Sequence, residues 1–196
     1  MSPLIFAVSG KARHGKDTIS DYLVEKYGFK KFTLAEPIKE ICRTVFTFSD
    51  NQLYGDLKDV VDDRWSVSPR QCFQFIGTEL FREQIGKLLP ECGNSIWTKC
   101  LIEKIKLHII DNPMALIVIS DVRFENEWTE FSKLFDGCYC IRVNNPRVKT
   151  VSEHVSEKMA WSCDIHIEND GTISDLFKKV DSLVENLAYV KDNTNT

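Results

Sequence analysis

The stretch Leu4-Ile-Phe-Ala-Val8, followed by Gly10-Lys11-Ala12-Arg13-His14-Gly15-Lys16-Asp17-Thr18, decides the fold. Five apolar residues in a row read as a buried strand, and Ile19, Tyr22, Leu23 and Tyr27 recur at helical spacing over Asp17 to Tyr27. Between them lies Gly-x4-Gly-Lys. A glycine loop that links a strand to a helix is the context in which this spacing means a phosphate loop. The glycines let backbone N–H groups turn inward around an anion, and the helix adds its positive N-terminal end. ATP is the expected ligand, lined by residues 10 to 18, with Lys16 reaching its β- and γ-phosphates. The residue after the lysine is Asp17 rather than Ser or Thr, so Thr18 is assigned the hydroxyl on the Mg²⁺ side. Asp17 is expected to cap the helix.

Outward from this loop, apolar bursts alternate with helical patterns. Gly28 stops the first helix, 29–34 reads as a strand, and Pro37 opens a helix over 36–46. Residues 47–69 are polar and poorly periodic, a loop-rich insertion with short helical turns. Pro69 opens a helix to about Ile85, and Asn94-Ser95 caps another to about Ile110. Ala115-Leu-Ile-Val-Ile119 is the most apolar run and reads as a central parallel strand. A helix over 125–135, strands over 137–143 and 165–168, a turn at Asn169-Asp-Gly171 and a helix over 173–188 complete the pattern, with a frayed tail. The implied fold is α/β, a three-layer α/β/α phosphate-loop kinase with a central parallel sheet and ligands at the carboxyl ends of the strands. A single domain spans 1–196, with an acceptor-binding insertion at about 47–97 and a mobile lid at about 144–162.

Asp121-Val-Arg123 follows the most apolar strand. An acidic group there lies beside the phosphate loop and can hold Mg²⁺ through water, while Arg123 can grip a phosphate. On the helix after Pro69, Arg70, Gln74, Gly77 and Thr78 fall within roughly a quarter of the circumference at 3.6 residues per turn. Donors beside a glycine suit an anion that needs space.

Composition sets the outer limits. Hydrophobic residues make up 43% and charged residues 28% of 196 residues, with a net charge of −4, so no broad nucleic-acid or membrane surface is expected. No apolar run approaches the ~20 residues that span a bilayer. Seven cysteines without metal-type spacing and no signal peptide point to a reducing cytoplasm.

Taken together, Gly10-Lys-Ala-x-x-Gly-Lys-Asp-Thr18, Tyr54-Gly-x-x-Lys58, Trp65, Arg70-x3-Gln74-x2-Gly77-Thr78-x3-Arg82, Ile96-Trp97, Asp121-Val-Arg-Phe-x-Asn-Glu127, His154-x-Ser-Glu157 and Asn169-Asp-Gly171 resemble the deoxynucleoside-monophosphate kinases of phages and viruses. The resemblance implies transfer of the ATP γ-phosphate to a deoxynucleoside monophosphate. It implies that Arg70, Gln74 and their neighbours face that monophosphate and that Tyr54, Lys58, Trp65 and Trp97 line the acceptor pocket. Arg147, His154 and Glu157 belong to the lid, and Asn169, Gly171 and Thr172 lie near the adenine. It is compatible with a homodimer, and host cytoplasm is the implied location if the source is viral.

The acceptor in such a reaction is an ionised phosphate, so no general base is needed. Catalysis should rest on alignment and on cations: Lys16, Mg²⁺, Arg70, Arg123, Arg147 and, as a further candidate, Arg13. A phosphomevalonate kinase or a dephospho-coenzyme A kinase remains an alternative, as does an ATP-sensing module without turnover.

Overall fold

A computed structural model describes residues 2–92, 95–148 and 161–193. The chain forms two compact units, Met1–Phe32 with His108–Thr196, and Thr33–Leu107. The expected lid residues from 149 to 160, His154 and Glu157 among them, lie outside the described residues, as does Asn94.

The first unit is built on a sheet in the order β2-β3-β1-β4-β5, from Leu4–Ser9 (β1), Lys30–Thr33 (β2), Leu116–Val122 (β3), Cys138–Asn144 (β4) and Ile165–Glu168 (β5). β1 pairs in parallel with β3 on one side and with β4 on the other, and β4 pairs in parallel with β5. The strand order therefore reverses at β1, and an open α/β sheet opens its crevice at such a switch point, outside the carboxyl ends of the strands. The run over 115–119, expected at the centre, is an interior strand; the middle of the sheet is β1.

Phe6, Val8, Val118, Ile141, Val143 and Ile167 form a buried cluster with Ile19 and Leu23 of α1 (Lys16–Tyr27) and Leu176 and Val180 of α8 (Ile173–Asn193). Each such side chain contributes about 1.5–3 kcal/mol by leaving water. Ile5, Ala7, Ile117, Ile119 and Cys140, the alternate residues of the same strands, are equally buried. A sheet hidden on both faces requires the continuous apolar runs read from the sequence. α7 (Glu125–Leu134) packs against β4. One polar knot joins α1 to α8: Asp181 Oδ1 accepts hydrogen bonds from Tyr22 at 2.8 Å and Tyr27 at 2.7 Å and pairs with Lys26 at 2.8 Å. α8 runs to Asn193, through the start of the tail expected to fray.

The second unit has its own core of Cys42, Phe48, Leu53, Cys72 and Ile76, flanked by Ile38, Phe46, Phe73 and Phe81. It contains α2 (Glu36–Phe46), α3 (Asp50–Leu53) and a 3₁₀ turn at Asp56–Asp59. A rod then runs through α4 (Pro69–Gln74), a π-helical stretch (Phe75–Ile85) and α5 (Gly86–Leu88). α6 (Ile96–Asp111) follows. Ser49 with Gln52 and Ser68 with Gln71 form reciprocal capping boxes that start α3 and α4. Asp62 is gripped by Arg64 through both carboxylate oxygens and by Gln52 at 2.7 Å, which closes the turn to Val67.

The rod differs from the α-helix expected over 69–85. π-helices are ordinarily single-turn bulges, and their wider turn advances each residue through a smaller angle, so positions counted at 3.6 per turn drift. Arg70 and Gln74 precede the change and are both exposed. Gly77 and Thr78 fall within it and separate: Gly77 is buried and Thr78 is exposed.

Candidate functional site

In the first unit the loop after β1 is shaped by two glycines. Gly10 has φ 151° and Gly15 has φ 107°, values that side-chain-bearing residues rarely adopt. A Cβ at Gly10 would lie 2.5 Å from the Val143 carbonyl oxygen, and one at Gly15 would lie 2.7 Å from Asn169 Nδ2. The loop thus touches the ends of β4 and β5. Asn169 Nδ2 donates to the His14 carbonyl at 3.0 Å, and the Asn145 N–H donates to His14 Nδ1 at 3.0 Å. His14 is buried and serves as a brace; Arg13 is exposed with φ 64°. Gly15 is the N-cap of α1 and supplies no side-chain cap, so no capping side chain competes for the first-turn N–H groups.

Lys16 is only 7% exposed and donates to the Lys11 carbonyl at 3.0 Å. Its Nζ lies 3.5 Å from Asp121 Oδ1. Asp121 is an extra residue in β3: Val8 is opposite Ser120, while Ser9 is opposite Val122. This β-bulge holds Asp121 at φ 67°. Arg123 Nε donates to Asp121 Oδ2 at 2.9 Å, so one carboxylate spans two cations. Asp121 Oδ1 is buried and accepts no hydrogen bond. Glu127, also buried, accepts from the backbone N–H groups of Arg123 at 2.9 Å and Phe124 at 3.1 Å. It holds the corner that presents Asp121. Trp161 Nε1 adds a bond to the Arg123 carbonyl at 3.3 Å. Glu127 sits in the quoted motif but drew no role from the sequence alone; its signal is an acid three residues into a helix.

Thr18 is half-buried in the first turn of α1. Asp17 is not a cap. It makes no capping hydrogen bond, is exposed, and lies 3.8 Å from Lys31. Arg147 is held at the β5–α8 turn, where Nη2 donates to the carbonyls of Gly171 at 2.7 Å and Asn169 at 3.3 Å. The Thr172 hydroxyl donates to Asp175 at 2.7 Å and starts α8. A cavity of about 260 Å³ opens beside the loop, lined by Lys11, His14, Arg142, Asn144, His166 and Glu168.

The second unit carries the other expected residues. Arg70 is engaged by Asp59 through Nε and, at 3.1 Å, through Nη2; this pairing holds the Asp59 carboxyl below its ordinary range. The Tyr54 hydroxyl donates to Glu36 at 2.5 Å, and Lys39 Nζ lies 4.1 Å from the centre of its ring. Lys58 is half-buried and Gln74 exposed. Arg82 keeps a buried Nε with no hydrogen-bond partner.

Three expected acceptor residues are engaged in packing or in backbone hydrogen bonds. Trp97 is 4% exposed, its indole N–H donates to the Gly77 carbonyl at 2.8 Å, and its ring packs on Phe81. Gly77 leaves no space for a ligand: a Cβ there would meet Ile38 Cδ1 at 3.0 Å. Trp65 is partly exposed but tied down, with its N–H on the Phe46 carbonyl at 3.0 Å and its ring edge-on to Phe46.

The sequence matches the family described as deoxynucleotide monophosphate kinase over residues 4–60 and 43–180. A protein of Acanthamoeba polyphaga mimivirus bearing that name is 35% identical over 193 residues, covering 95% of this chain and 98% of its own. The deoxynucleotide monophosphate kinase of Enterobacteria phage T4 is 23% identical, covering 90% of this chain and 96% of its own. Among solved structures, a dephospho-CoA kinase from Campylobacter jejuni superposes with a TM-score of 0.50 over 95% of this chain and 98% of that one. At 16% identity that likeness shows the shared fold alone. A phosphate loop at the switch point of a parallel sheet, with family matches along most of its length, makes this chain a member of the deoxynucleotide monophosphate kinase family.

Proposed function

We propose that this protein transfers the γ-phosphate of ATP to a deoxynucleoside monophosphate and releases the diphosphate. The observation that carries the reading is the arrangement Lys16–Asp121–Arg123, set at the carboxyl ends of β1 and β3 on a left-handed bulge residue. A half-buried carboxylate between two cations at a phosphate loop suits polyphosphate chemistry better than structural support.

On this reading the first unit binds the donor. The loop N–H groups and the end of α1 cradle the β- and γ-phosphates, and Lys16 follows the charge that moves during transfer. Arg123 and Arg13 are the further cations of this unit. Asn169, fixed to His14, keeps the β5–α8 turn in register with the loop, and Arg147 stiffens that turn through its carbonyls. The residues present fit Mg²⁺: Asp121 has a buried oxygen without a hydrogen bond, and Thr18 offers a hydroxyl. Mg²⁺, when bound there, supplies neutralisation of the phosphate oxygens.

The second unit supplies acceptor recognition through Arg70, with Gln74, Thr78, Lys58 and Tyr54 as the other polar contacts, and Arg82 as a guanidinium with an unspent N–H. An acceptor phosphate would take Arg70 from Asp59. The monophosphate arrives largely dianionic, since its second pKa is about 6, and needs no base. Polymeric nucleic acid is not the substrate on this reading, and no helix among the described residues is long and apolar enough to cross a membrane.

The test is a coupled ADP-release assay with ATP against deoxynucleoside monophosphates, ribonucleoside monophosphates and phosphomevalonate. Turnover should appear with one or more deoxynucleotides and vanish in Lys16→Ala while circular dichroism is unchanged. Release of ADP with phosphomevalonate alone, or near-normal turnover in folded Lys16→Ala, would refute the proposal.

A further inference from the structure

One cluster in the first unit takes no part in the kinase reading. Cys140, in β4, is fully buried, and its backbone N–H donates to Asp164 Oδ2 at 2.7 Å. Cys163 stands just before β5 and is partly exposed. Arg142 Nη2 donates to the Cys163 sulfur at 3.2 Å and to the Trp161 carbonyl at 3.0 Å. The guanidinium lies 4.6 Å from the centre of the Trp161 ring. The parallel register that pairs Ile141 with Ile165 sets Cys140 opposite Asp164, the residue next to Cys163.

The pair is asymmetric. The hydrogen bond from Cys140, then the charge of Arg142, hold the Cys163 thiol below its ordinary range despite burial. The same hydrogen bond, then burial, pushes the Cys140 thiol up. One sulfur is therefore reachable and ionises more readily beside a fixed cation, and the other is hidden and harder to ionise. That division matches an attacking and a resolving thiol. Among the described residues no group of three His, Cys, Asp or Glu side chains is placed to hold a metal ion, so a thiolate metal site lacks its ligands.

We infer that Cys163 is a peroxide-sensitive thiol and that Cys140 resolves it, closing an intramolecular Cys140–Cys163 disulfide. The Cys163 thiolate attacks one oxygen of hydrogen peroxide. The O–O bond breaks, the sulfur is oxidised to the sulfenic acid, and the departing hydroxide takes a proton to become water. Cys140 then gives up its proton and its sulfur attacks the sulfenic sulfur. The S–S bond forms as the S–O bond breaks, and the second oxygen leaves as water. Two thiols lose two electrons and one hydrogen peroxide gains them. This inference does not depend on the acceptor assigned above.

The experiment uses the full chain and hydrogen peroxide. Peptide mapping of the wild type should find a Cys140–Cys163 cross-link that dithiothreitol reverses. Cys163→Ser should lose the cross-link and all dimedone capture at that site. Cys140→Ala should lose the cross-link but accumulate the Cys163 dimedone adduct. Because Cys140 is buried, the wild type is also probed without substitution. At neutral pH iodoacetamide should alkylate Cys163 on the order of tenfold faster than Cys92 and Cys100, which are also partly exposed. Equal alkylation of the three thiols, or a peroxide product that does not join 140 to 163, would overturn the inference.

Discussion

Asn169 offers a sharp test of how the phosphate loop is held. Its Nδ2 donates to the His14 carbonyl at 3.0 Å, in a partly buried setting, from a turn on the far side of the sheet edge. Asn169→Ala deletes that donor. A buried carbonyl left unpaired costs about 1–3 kcal/mol, which corresponds to roughly 5- to 150-fold in an equilibrium constant. Water can reach part of this site, so the low end applies, and the KM for ATP should rise about tenfold with the acceptor KM unchanged. Asn169→Asp should do worse than Ala, because it puts a carboxylate against a carbonyl oxygen and near the donor phosphates. Gly15→Ala approaches the same contact from the other side, with its new Cβ 2.7 Å from Asn169 Nδ2. The double variant Gly15→Ala/Asn169→Ala should therefore be less impaired than the two single effects added, since the clash has lost its target. The assay is steady-state ADP release with each substrate varied in turn. Equal effects on both substrates, an Asp variant no worse than Ala, or strict additivity in the cycle would refute the reasoning.

Three further outcomes are expected. Arg70→Ala should raise the acceptor KM roughly ten- to a hundredfold with little change for ATP, as loss of a charge-assisted phosphate contact implies, whereas Asp59→Asn should leave it equal or lower because a competitor is gone; a rise in Asp59→Asn would make Asp59 a positioning partner instead. Trp97→Phe should lower stability by about 1–3 kcal/mol in urea unfolding, through the orphaned Gly77 carbonyl, without altering either KM; a selective acceptor effect would return Trp97 to the pocket. Asp181 is held down to about 2 by Lys26, then by Tyr27 and Tyr22. A depressed carboxylate contributes stability above its unfolded pKa of about 3.9, and that contribution is lost as pH falls through about 2, so acid unfolding should be shallower in Asp181→Asn.

The loop and the positions of the strands were legible because their signals are local. Gly10, Gly15 and Lys16 sit at a fixed spacing, and β1 and β3 are apolar runs that need no partner to be recognised. Asp121 was legible as an acid at a strand end, but its bulge was not, since register is set by the neighbouring strand. The bond between Trp97 and Gly77 was hidden for a related reason: a tryptophan and a glycine in a polar neighbourhood look like ligand contacts, and only tertiary packing pairs them. The π-helical run was invisible to a count at 3.6 residues per turn, and with it went the single face proposed for Arg70 through Thr78. Arg147 was read as a lid arginine on composition, which cannot say which carbonyls a guanidinium will find.

The bulge at Asp121 separates what the sheet wants from what the site needs. Without that residue, Ser120 and Val122 would continue the ladder opposite Val8 and Ser9 unbroken, and a rare left-handed conformation would disappear. Deleting Asp121 should therefore cost the sheet little while the acid beside Lys16 is lost. A chain selected only for folding would have no use for the residue. A shortened β3 in a related chain would mark a scaffold that has kept its architecture and abandoned its chemistry.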